Sequence, residues 1–311
     1  YYDRVVDCCT KNGVSPWMTL FHWELPQALE EKGGWQNCKT AEAFSRFAGM
    51  MAERFKDRVR HFITLNEPQI VLKLGYSDGV HAPEKQLSLP QLVSCWKNLM
   101  LAHGLSFRAI RKAAPQAQIG IASTGRLCYP HSSSDETAAR QETFRLTDTD
   151  WMFTHPIVLD AVCFGQVTPE AGALSGLLQT VTPEEWAVMH AVPDFIGVNA
   201  YNGSEIAEGA DGRPVYLPRP VGAPRTALKW PITPEIMEDG LSYLFDRYGL
   251  ALYVTECGLS CNDRIYLDGQ VHDLDRIDFL HRYLLSLRKG AEKADIRGFF
   301  HWSLTDNFEW H

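Results

Sequence analysis

Two glutamates, Glu67 and Glu256, lie at the ends of apolar runs, where a carboxylate could act in catalysis. Glu67 lies in ITLNEP, after an apolar run and before a proline that ends the strand, and Glu256 lies in LYVTECG, before the flexible Gly258. A pair of carboxyl groups suits the hydrolysis of an acetal, which needs a proton donor at the leaving oxygen and an anion near the developing cation. For either glutamate taken alone, helix capping or surface ion pairing is the more frequent role.

Several other polar and aromatic side chains also follow apolar runs. They are His22 and Trp23 after the first run, Asn66 after the second, Asn199 and Tyr201 after the fourth, and Trp302 after the sixth. In a barrel of parallel strands, the carboxyl ends of the strands face one mouth. We therefore expect these side chains to converge with Glu67 and Glu256 on a single site.

Apolar runs bounded by turn residues predict buried strands, and amphipathic patterns between them predict helices. We expect strands at 14–22, 59–65, 117–123, 195–201, 251–255 and 297–303. Helices are expected at 40–57, 91–114, 135–160, 233–248 and 273–290. This alternation, without a proline-rich or serine-rich linker, predicts one α/β domain over residues 1–311. About six strands suit an incomplete (β/α)8 barrel of the TIM-barrel type, with a doubly wound sheet as the alternative.

Composition argues against several classes of partner. The net charge is −8 and no basic block occurs, so a nucleic acid is not an expected partner. No apolar run reaches the roughly 20 residues that span a bilayer, and the first residues do not resemble a signal peptide. We therefore expect a soluble, cytoplasmic protein with no membrane partner.

The cysteine and histidine patterns do not indicate a metal site or a disulfide framework. The eight cysteines are scattered, which favours reduced thiols. No Cys-x-x-Cys pair recurs and no His-Glu-x-x-His stretch exists, so neither a metal nor another cofactor is expected. His103, on the apolar face of the predicted helix 91–114, is expected to be a core histidine.

Six segments carry a resemblance to a known family. TLFHWELPQALEEKGGW, TLNEP, DFIGVNAY, WPITPE, VTECG and FFHWSLTDNFEW together resemble the family 1 glycoside hydrolases, the β-glucosidase family, in matching order and spacing over practically the whole chain. The resemblance implies a (β/α)8 barrel and a retaining mechanism. It implies that Glu67 is the acid/base and Glu256 the nucleophile, whose carboxyl groups stand about 5–5.5 Å apart in retaining enzymes.

The resemblance also implies binding roles for neighbouring side chains. Asn66 would contact the sugar 2-hydroxyl, Tyr201 would orient Glu256, and His22 and Glu309 would bind the outer hydroxyls. Trp302 and Trp310 would offer flat faces to the sugar ring, Trp230 would line the aglycone side, and Trp23 and Asn199 would complete the substrate site. Because the carboxylate of Glu309 would repel a phosphate, we expect unphosphorylated β-glucosides, followed by β-galactosides and β-fucosides.

The sequence departs from the family at several places. Cys257 follows the nucleophile where the family usually has asparagine, and His155 replaces an aspartate-like residue in a segment expected to open the aglycone side. The resemblance also implies that two strands, the last helix, and a glutamine and an arginine of the family's site are absent. A carbohydrate-binding or scaffold protein without turnover is therefore the alternative function. An open sheet would also favour a homo-oligomer whose copies cover the gap.

Overall fold

The computed structural model of the protein describes residues 1–307 and 309–310, and helices alternate with strands along most of this length. The helices are α1 (Tyr2–Lys11), α2 (Gln27–Glu30), α3 (Cys38–Phe55), α4 (Pro68–Ile70), α5 (Leu89–Ala113), α6 (Glu136–Phe144), α7 (Pro156–Phe164), α8 (Ala173–Leu178), α9 (Pro183–Met189), α10 (Asp239–Tyr248) and α11 (Leu274–Lys293). The strands are β1 (Trp17–Thr19), β2 (His61–Asn66), β3 (Gln118–Ser123), β4 (Cys128–Pro130), β5 (Phe195–Asn199), β6 (Ser204–Glu208), β7 (Pro214–Tyr216), β8 (Leu252–Cys257) and β9 (Ile296–His301).

Six of these strands form one sheet in the order β1-β2-β3-β5-β8-β9. The pairs β1–β2, β2–β3 and β8–β9 are parallel, and their registers place Trp17 beside His61 and Leu252 beside Ile296. Helical segments connect consecutive strands of this sheet, as parallel pairing requires. Each of the six apolar runs yields one strand of the sheet, so the strand predictions are confirmed apart from their ends.

The contacts between residues divide the chain into two compact units. The first unit is Tyr1–Gly125, Leu146–Gly197 and Glu309–His311, and the second is Arg126–Arg145 and Val198–Phe308. Strand β5 contributes its residues 195–197 to the first unit and 198–199 to the second. The single domain expected over residues 1–311 stays a prediction.

The first unit has a core between α3, α5 and the strands β2 and β3. Ala48, Ala52 and Phe55 recur at helical spacing on α3 and pack against Phe62 of β2 and Ile110 of α5. Asn37 caps the start of α3, and its side chain accepts a hydrogen bond from the backbone N–H of Lys39 over 3.0 Å. This core therefore fixes the position of β2, which leads directly into Glu67.

His103 of α5 is fully buried in the first unit. Its Nδ1 lies 2.7 Å from the hydroxyl of Thr64, and its Nε2 lies 3.0 Å from the carbonyl oxygen of Ala191. Both ring nitrogens therefore have hydrogen-bond partners, and the prediction of a core histidine is confirmed.

The second unit contains a small sheet that the sequence did not predict. Its strand order is β4-β6-β7, with β4 and β6 parallel and β6 and β7 antiparallel. Cys128 and Ile206 of this sheet pack against Ala138 of α6 and Tyr243 of α10. The strands are three to five residues long, too short to show a clear periodicity in the sequence.

The single helix predicted at 135–160 is wrong, because the chain forms α6 and α7 with an irregular segment between them. In that segment the hydroxyl of Thr147 accepts a hydrogen bond from the N–H of Asp150 over 3.1 Å. The carboxylate of Asp148 accepts hydrogen bonds from the N–H groups of Ala173 and Leu174, at 2.7 and 2.9 Å. Short polar side chains that bond the backbone in this way compete with a helix.

The eight cysteines are free thiols in the structure. Among the helices that the structure describes, none combines the length and the apolar character needed to cross a membrane. The cytoplasmic location stays a prediction.

Candidate active site

Glu67 follows the carboxyl end of β2 in the first unit and is 7% exposed. Its backbone N–H donates to the carbonyl oxygen of Ala122 in β3 over 2.9 Å, and its own carbonyl accepts the N–H of Ile70 over 3.0 Å. The backbone of Glu67 is left-handed, with φ 45° and ψ 58°. Strand β2, strand β3 and the start of α4 thus determine the position of this carboxyl group.

The residues after β1 are tied to the end of β2. The backbone N–H of Asn66 donates to the carbonyl of Phe21 over 2.9 Å, and the indole N–H of Trp23 donates to the carbonyl of Asn66 over 3.1 Å. The side-chain amide nitrogen of Asn66 lies 3.3 Å from Nε2 of His22. Burial lowers the pKa of His22, which favours the neutral ring that accepts this hydrogen bond.

Aromatic side chains cluster beside these residues in the first unit. The ring of Trp23 lies 4.7 Å from that of Trp310 and 5.6 Å from that of His81, and His22 stacks on Trp310 at 6.2 Å. Such flat apolar faces with N–H donors can stack on a sugar ring. Glu309, beside Trp310 in the chain, is exposed to solvent.

Glu256 lies near the carboxyl end of β8 in the second unit and is 8% exposed. Its Oε2 accepts a hydrogen bond from the phenol of Tyr201 over 2.7 Å, and its carbonyl accepts the N–H of Ala200 over 2.9 Å. The carbonyl of Tyr201 in turn accepts the phenol O–H of Tyr283, from α11, over 2.8 Å. The carboxyl group of Glu256 is therefore held in one orientation by residues that follow β5.

Asn199 and Trp230 flank this pair of residues. Asn199 is 2% exposed, and its Oδ1 accepts the hydroxyl of Thr255 over 2.6 Å, so its amide has a fixed orientation. The ring of Trp230 packs edge-on against Tyr201 at 5.5 Å, and 41% of Trp230 is exposed. Trp230 can therefore contact a ligand while it packs against Tyr201.

Trp302 follows β9 and is held beside the end of β8. Its backbone N–H donates to the carbonyl of Cys257 over 2.9 Å. A Cβ on Gly258 would lie 2.0 Å from the carbonyl oxygen of Trp302. Only a glycine therefore fits behind Glu256, because a side chain at this position would collide with the backbone of Trp302.

The expected site residues divide between the two units. His22, Trp23, Asn66, Glu67, Glu309 and Trp310 belong to the first unit, and Asn199, Tyr201, Trp230, Glu256 and Trp302 belong to the second. Their convergence on one mouth stays a prediction. The sequence interpretation did not identify His81 or Tyr283, because neither stands at the end of an apolar run in a motif used for the resemblance. Thr255, within VTECG, was read only as the last residue of the predicted strand 251–255.

No group of three or more His, Cys, Asp or Glu side chains within residues 1–307 and 309–310 is placed to hold a metal ion.

Comparison with known sequences places the chain among glycosidases. The profile of Glycosyl hydrolase family 1 matches residues 1–311. The chain is 30% identical to Beta-glucosidase A of Thermotoga maritima, in an alignment that covers 100% of this chain and 69% of that protein. It is 32% identical to the Bifunctional beta-D-glucosidase/beta-D-fucosidase of Bifidobacterium breve, with 100% of this chain and 70% of that protein covered.

Solved structures give the same similarity. The β-glucosidase from Thermotoga maritima in complex with a methyl acetic acid-substituted glucoimidazole superposes with a TM-score of 0.84 at 30% identity, over 99% of this chain and 69% of that chain. Its complex with galacto-hydroximolactam gives a TM-score of 0.84 at 30% identity, with the same coverage. The prediction of a (β/α)8 fold of which this chain supplies about six strands is confirmed, and the doubly wound alternative is rejected.

Proposed function

The chain belongs to glycosyl hydrolase family 1, and on this basis we propose that it is a retaining β-glycosidase in which Glu67 is the acid/base and Glu256 the nucleophile. The observation that carries the proposal is the hydrogen bond from Tyr201 to Glu256, which holds a nearly buried carboxylate oriented at the end of a strand. Glu67 supports it, since this second nearly buried carboxyl group also follows the end of a strand of the same sheet.

The proposed reaction has two displacements at the anomeric carbon of the sugar. In the first, the carboxylate of Glu256 forms a bond to that carbon while the glycosidic C–O bond breaks, and Glu67 gives its proton to the departing oxygen. In the second, Glu67 takes a proton from water, the water oxygen bonds to the anomeric carbon, and the ester bond to Glu256 breaks. Two inversions leave the configuration retained, and no cofactor is needed.

The first unit supplies the proposed contacts to the sugar. In this proposal the amide of Asn66 hydrogen-bonds the 2-hydroxyl, a contact that strengthens in the transition state of glycoside hydrolysis. Trp23 and Trp310 offer the ring faces, and His22 and Glu309 bind the outer hydroxyls. The hydrogen bond between His22 and Asn66 fixes both side chains before the substrate arrives.

The second unit supplies the proposed contacts around the nucleophile. Tyr201 orients the anion of Glu256, and Asn199 is itself oriented by Thr255. Trp302 contacts the sugar ring, and the exposed part of Trp230 contacts the aglycone.

We propose unphosphorylated β-glucosides as the substrates, with β-galactosides and β-fucosides as the next best. The names of the relatives support β-glucosides and β-fucosides, since one is a β-glucosidase and another is a bifunctional β-glucosidase and β-fucosidase. The carboxylate of Glu309 would repel a 6-phosphate on the sugar.

A 2-deoxy-2-fluoro-β-glucosyl fluoride tests the proposal, because the fluorine slows the second displacement and traps the glycosyl-enzyme ester. We expect the added mass of one fluorosugar on the peptide that contains Glu256, together with hydrolysis of an aryl β-glucoside. The Glu256→Gln variant is the control and should remain unlabelled. Binding of glucosides without turnover or labelling would favour a carbohydrate-binding protein, and labelling of another residue would contradict the assignment of Glu256.

We also propose that copies of the chain associate. Strands β1 and β9 stand at the two ends of the strand order, and edge strands offer backbone groups to another chain. In the second unit, α11 exposes Ile277, Leu284 and Leu285. Light scattering should give a dimer or tetramer, and a stable, fully folded monomer of 35.2 kDa would contradict this proposal.

A further inference from the structure

The backbone of Glu67 has a conformation that residues other than glycine seldom adopt. Its φ is 45°, and a left-handed conformation costs such a residue about 1–2 kcal/mol. The surrounding structure must therefore hold it. One contact that does so is the hydrogen bond of 2.9 Å from the N–H of Glu67 to the carbonyl of Ala122.

A second contact comes from Gln69, which follows Glu67 by two residues and is fully buried. Its Nε2 donates to the hydroxyl oxygen of Ser123 over 2.7 Å and to the carbonyl of Thr154 over 3.3 Å. Because Ser123 directly follows Ala122 in β3, the segment that carries Glu67 is attached to adjacent residues of β3, once through its backbone and once through a side chain.

The hydroxyl of Ser123 continues this chain of hydrogen bonds to His155. Its oxygen lies 2.9 Å from Nδ1 of His155, and both residues are fully buried. The carbonyl of Thr154 needs a donor, so the amide nitrogen of Gln69 must point toward it and toward Ser123. The single hydroxyl of Ser123 therefore links the side chain of Gln69 to that of His155.

His155 is itself held in place by the backbone around it. It immediately precedes α7, and a Cβ on Gly125 would lie 2.8 Å from its backbone nitrogen. The two segments therefore approach each other as closely as a glycine allows. A buried side chain with this little space around it can define the position of the groups bonded to it.

We propose that Gln69, Ser123 and His155 are positioning residues that set the orientation of Glu67. This inference rests on the proposed role of Glu67 as the acid/base. The three side chains are fully buried and do not touch the substrate. They act through the left-handed backbone of Glu67, which they hold against the end of β3.

The Ser123→Ala variant tests the inference with two substrates. A 2,4-dinitrophenyl β-glucoside has a leaving group that needs little protonation, whereas a phenyl β-glucoside depends on the acid. We expect kcat/KM for the phenyl substrate to fall about 10- to 100-fold, and that for the dinitrophenyl substrate to fall less than about threefold. Titration of active sites with the fluorosugar corrects both values for inactive protein.

Ser106→Ala is the matched control, because Ser106 is also fully buried in the first unit and its hydroxyl has no hydrogen-bond partner among the described residues. In Ser106→Ala, kcat/KM for both the phenyl and the dinitrophenyl substrate should stay unchanged. Equal losses on the two substrates in Ser123→Ala would indicate general damage and would overturn the inference, as would an unchanged rate on the phenyl substrate. If Ser123→Ala does not fold, Gln69→Met replaces it, because methionine keeps the volume and removes the hydrogen bonds.

Crystal structures of the variant that folds and of Ser106→Ala separate this inference from the proposed function. We expect the carboxyl group of Glu67 to shift by about 1 Å or more in the former, an error large enough to slow catalysis, and to stay in place in the latter. An unmoved Glu67 overturns the inference whether or not the protein is active. A wild-type protein that hydrolyses neither substrate refutes the proposed function alone, and the position of Glu67 then decides the inference.

Discussion

The phenol of Tyr201 donates a hydrogen bond of 2.7 Å to Oε2 of Glu256. Glu256 is 8% exposed, so this donor replaces part of the solvation that the carboxylate would have in water. The carbonyl of Tyr201 accepts a hydrogen bond from Tyr283, which holds the backbone that carries the phenol. The orientation of Glu256 therefore depends on two tyrosines, one in direct contact and one behind it.

Replacing Tyr201 with phenylalanine should slow the proposed first displacement. The ring remains, but Glu256 loses a charge-assisted hydrogen bond, and we expect kcat to fall about 10- to 1000-fold in steady-state assays. The control is Tyr216→Phe, which removes a similar hydrogen bond of 2.6 Å to Glu142 in the small sheet. A rate within twofold of wild type for Tyr201→Phe, or an equal loss in Tyr216→Phe, would contradict the role of Tyr201.

The Tyr283→Phe variant should lose stability as well as some activity. Its hydroxyl donates to the carbonyl of Tyr201 and accepts the N–H of Thr233, so its removal leaves two backbone groups without their partner. We expect the free energy of unfolding in urea to fall by about 1–3 kcal/mol. In Tyr243→Phe the lost hydroxyl is buried and has no hydrogen-bond partner among the described residues, so the stability should not decrease. Similar losses in both variants would show that the hydrogen bonds of Tyr283 are unimportant.

The Glu67→Gln variant should discriminate between leaving groups. We expect kcat/KM for an alkyl β-glucoside to fall about 100- to 10,000-fold, because the departing oxygen then receives no proton. With a dinitrophenyl β-glucoside, whose leaving group needs little protonation, the glycosyl-enzyme ester should form at nearly the wild-type rate. Glu30→Gln is a control in the same unit, since Glu30 bonds the phenol of Tyr76 over 2.7 Å and has no proposed chemical role. Equal losses on alkyl and dinitrophenyl substrates in Glu67→Gln would exclude Glu67 as the acid.

His103 should make the protein less stable as the pH falls. Burial lowers the pKa of His103 to about 4 from its ordinary 6.5, so between these values the unfolded chain binds a proton that the folded chain does not. The contribution of the neutral His103 ring to the free energy of unfolding is complete above pH 6.5. It is lost progressively toward pH 4, and the total loss is about 3 kcal/mol. Urea unfolding at several pH values should show a shallower decline for His103→Gln. An identical decline would contradict the lowered pKa.

Gly104 should be intolerant of a side chain. A Cβ at this position in α5 would lie 1.9 Å from the carbonyl oxygen of Val188, at the end of α9. We expect Gly104→Ala to lower the free energy of unfolding by about 1–3 kcal/mol despite the better helix propensity of alanine. Gly176→Ala, with no atom within 4 Å of the added Cβ, should be neutral or gain up to about 1 kcal/mol. A stable Gly104→Ala would mean that α5 and α9 can separate easily.

The main sheet could be predicted because strand signals are local. Each apolar run carries its own periodicity and turn residues, so all six strands of the sheet were predicted near their observed positions. The sequence pattern wrongly predicted one continuous helix at 135–160. In this region the side chain of Asp148 accepts hydrogen bonds from the backbone of Ala173 and Leu174. This interaction competes with helix formation and depends on a segment distant in the chain, so the local sequence pattern does not predict it.

The sequence by itself determined the fold class, the family and the two glutamates at the carboxyl ends of strands. Only the tertiary structure decided which side chains hold them: Tyr283 behind Tyr201 for Glu256, and Ser123 with His155 behind Gln69 for Glu67. The spacing of apolar residues indicates which face of a strand or helix is buried, because the burial of each residue follows from its position within that element. A hydrogen bond between distant segments exists only once packing has brought donor and acceptor to within about 3 Å, so its partners cannot be recognised from spacing alone.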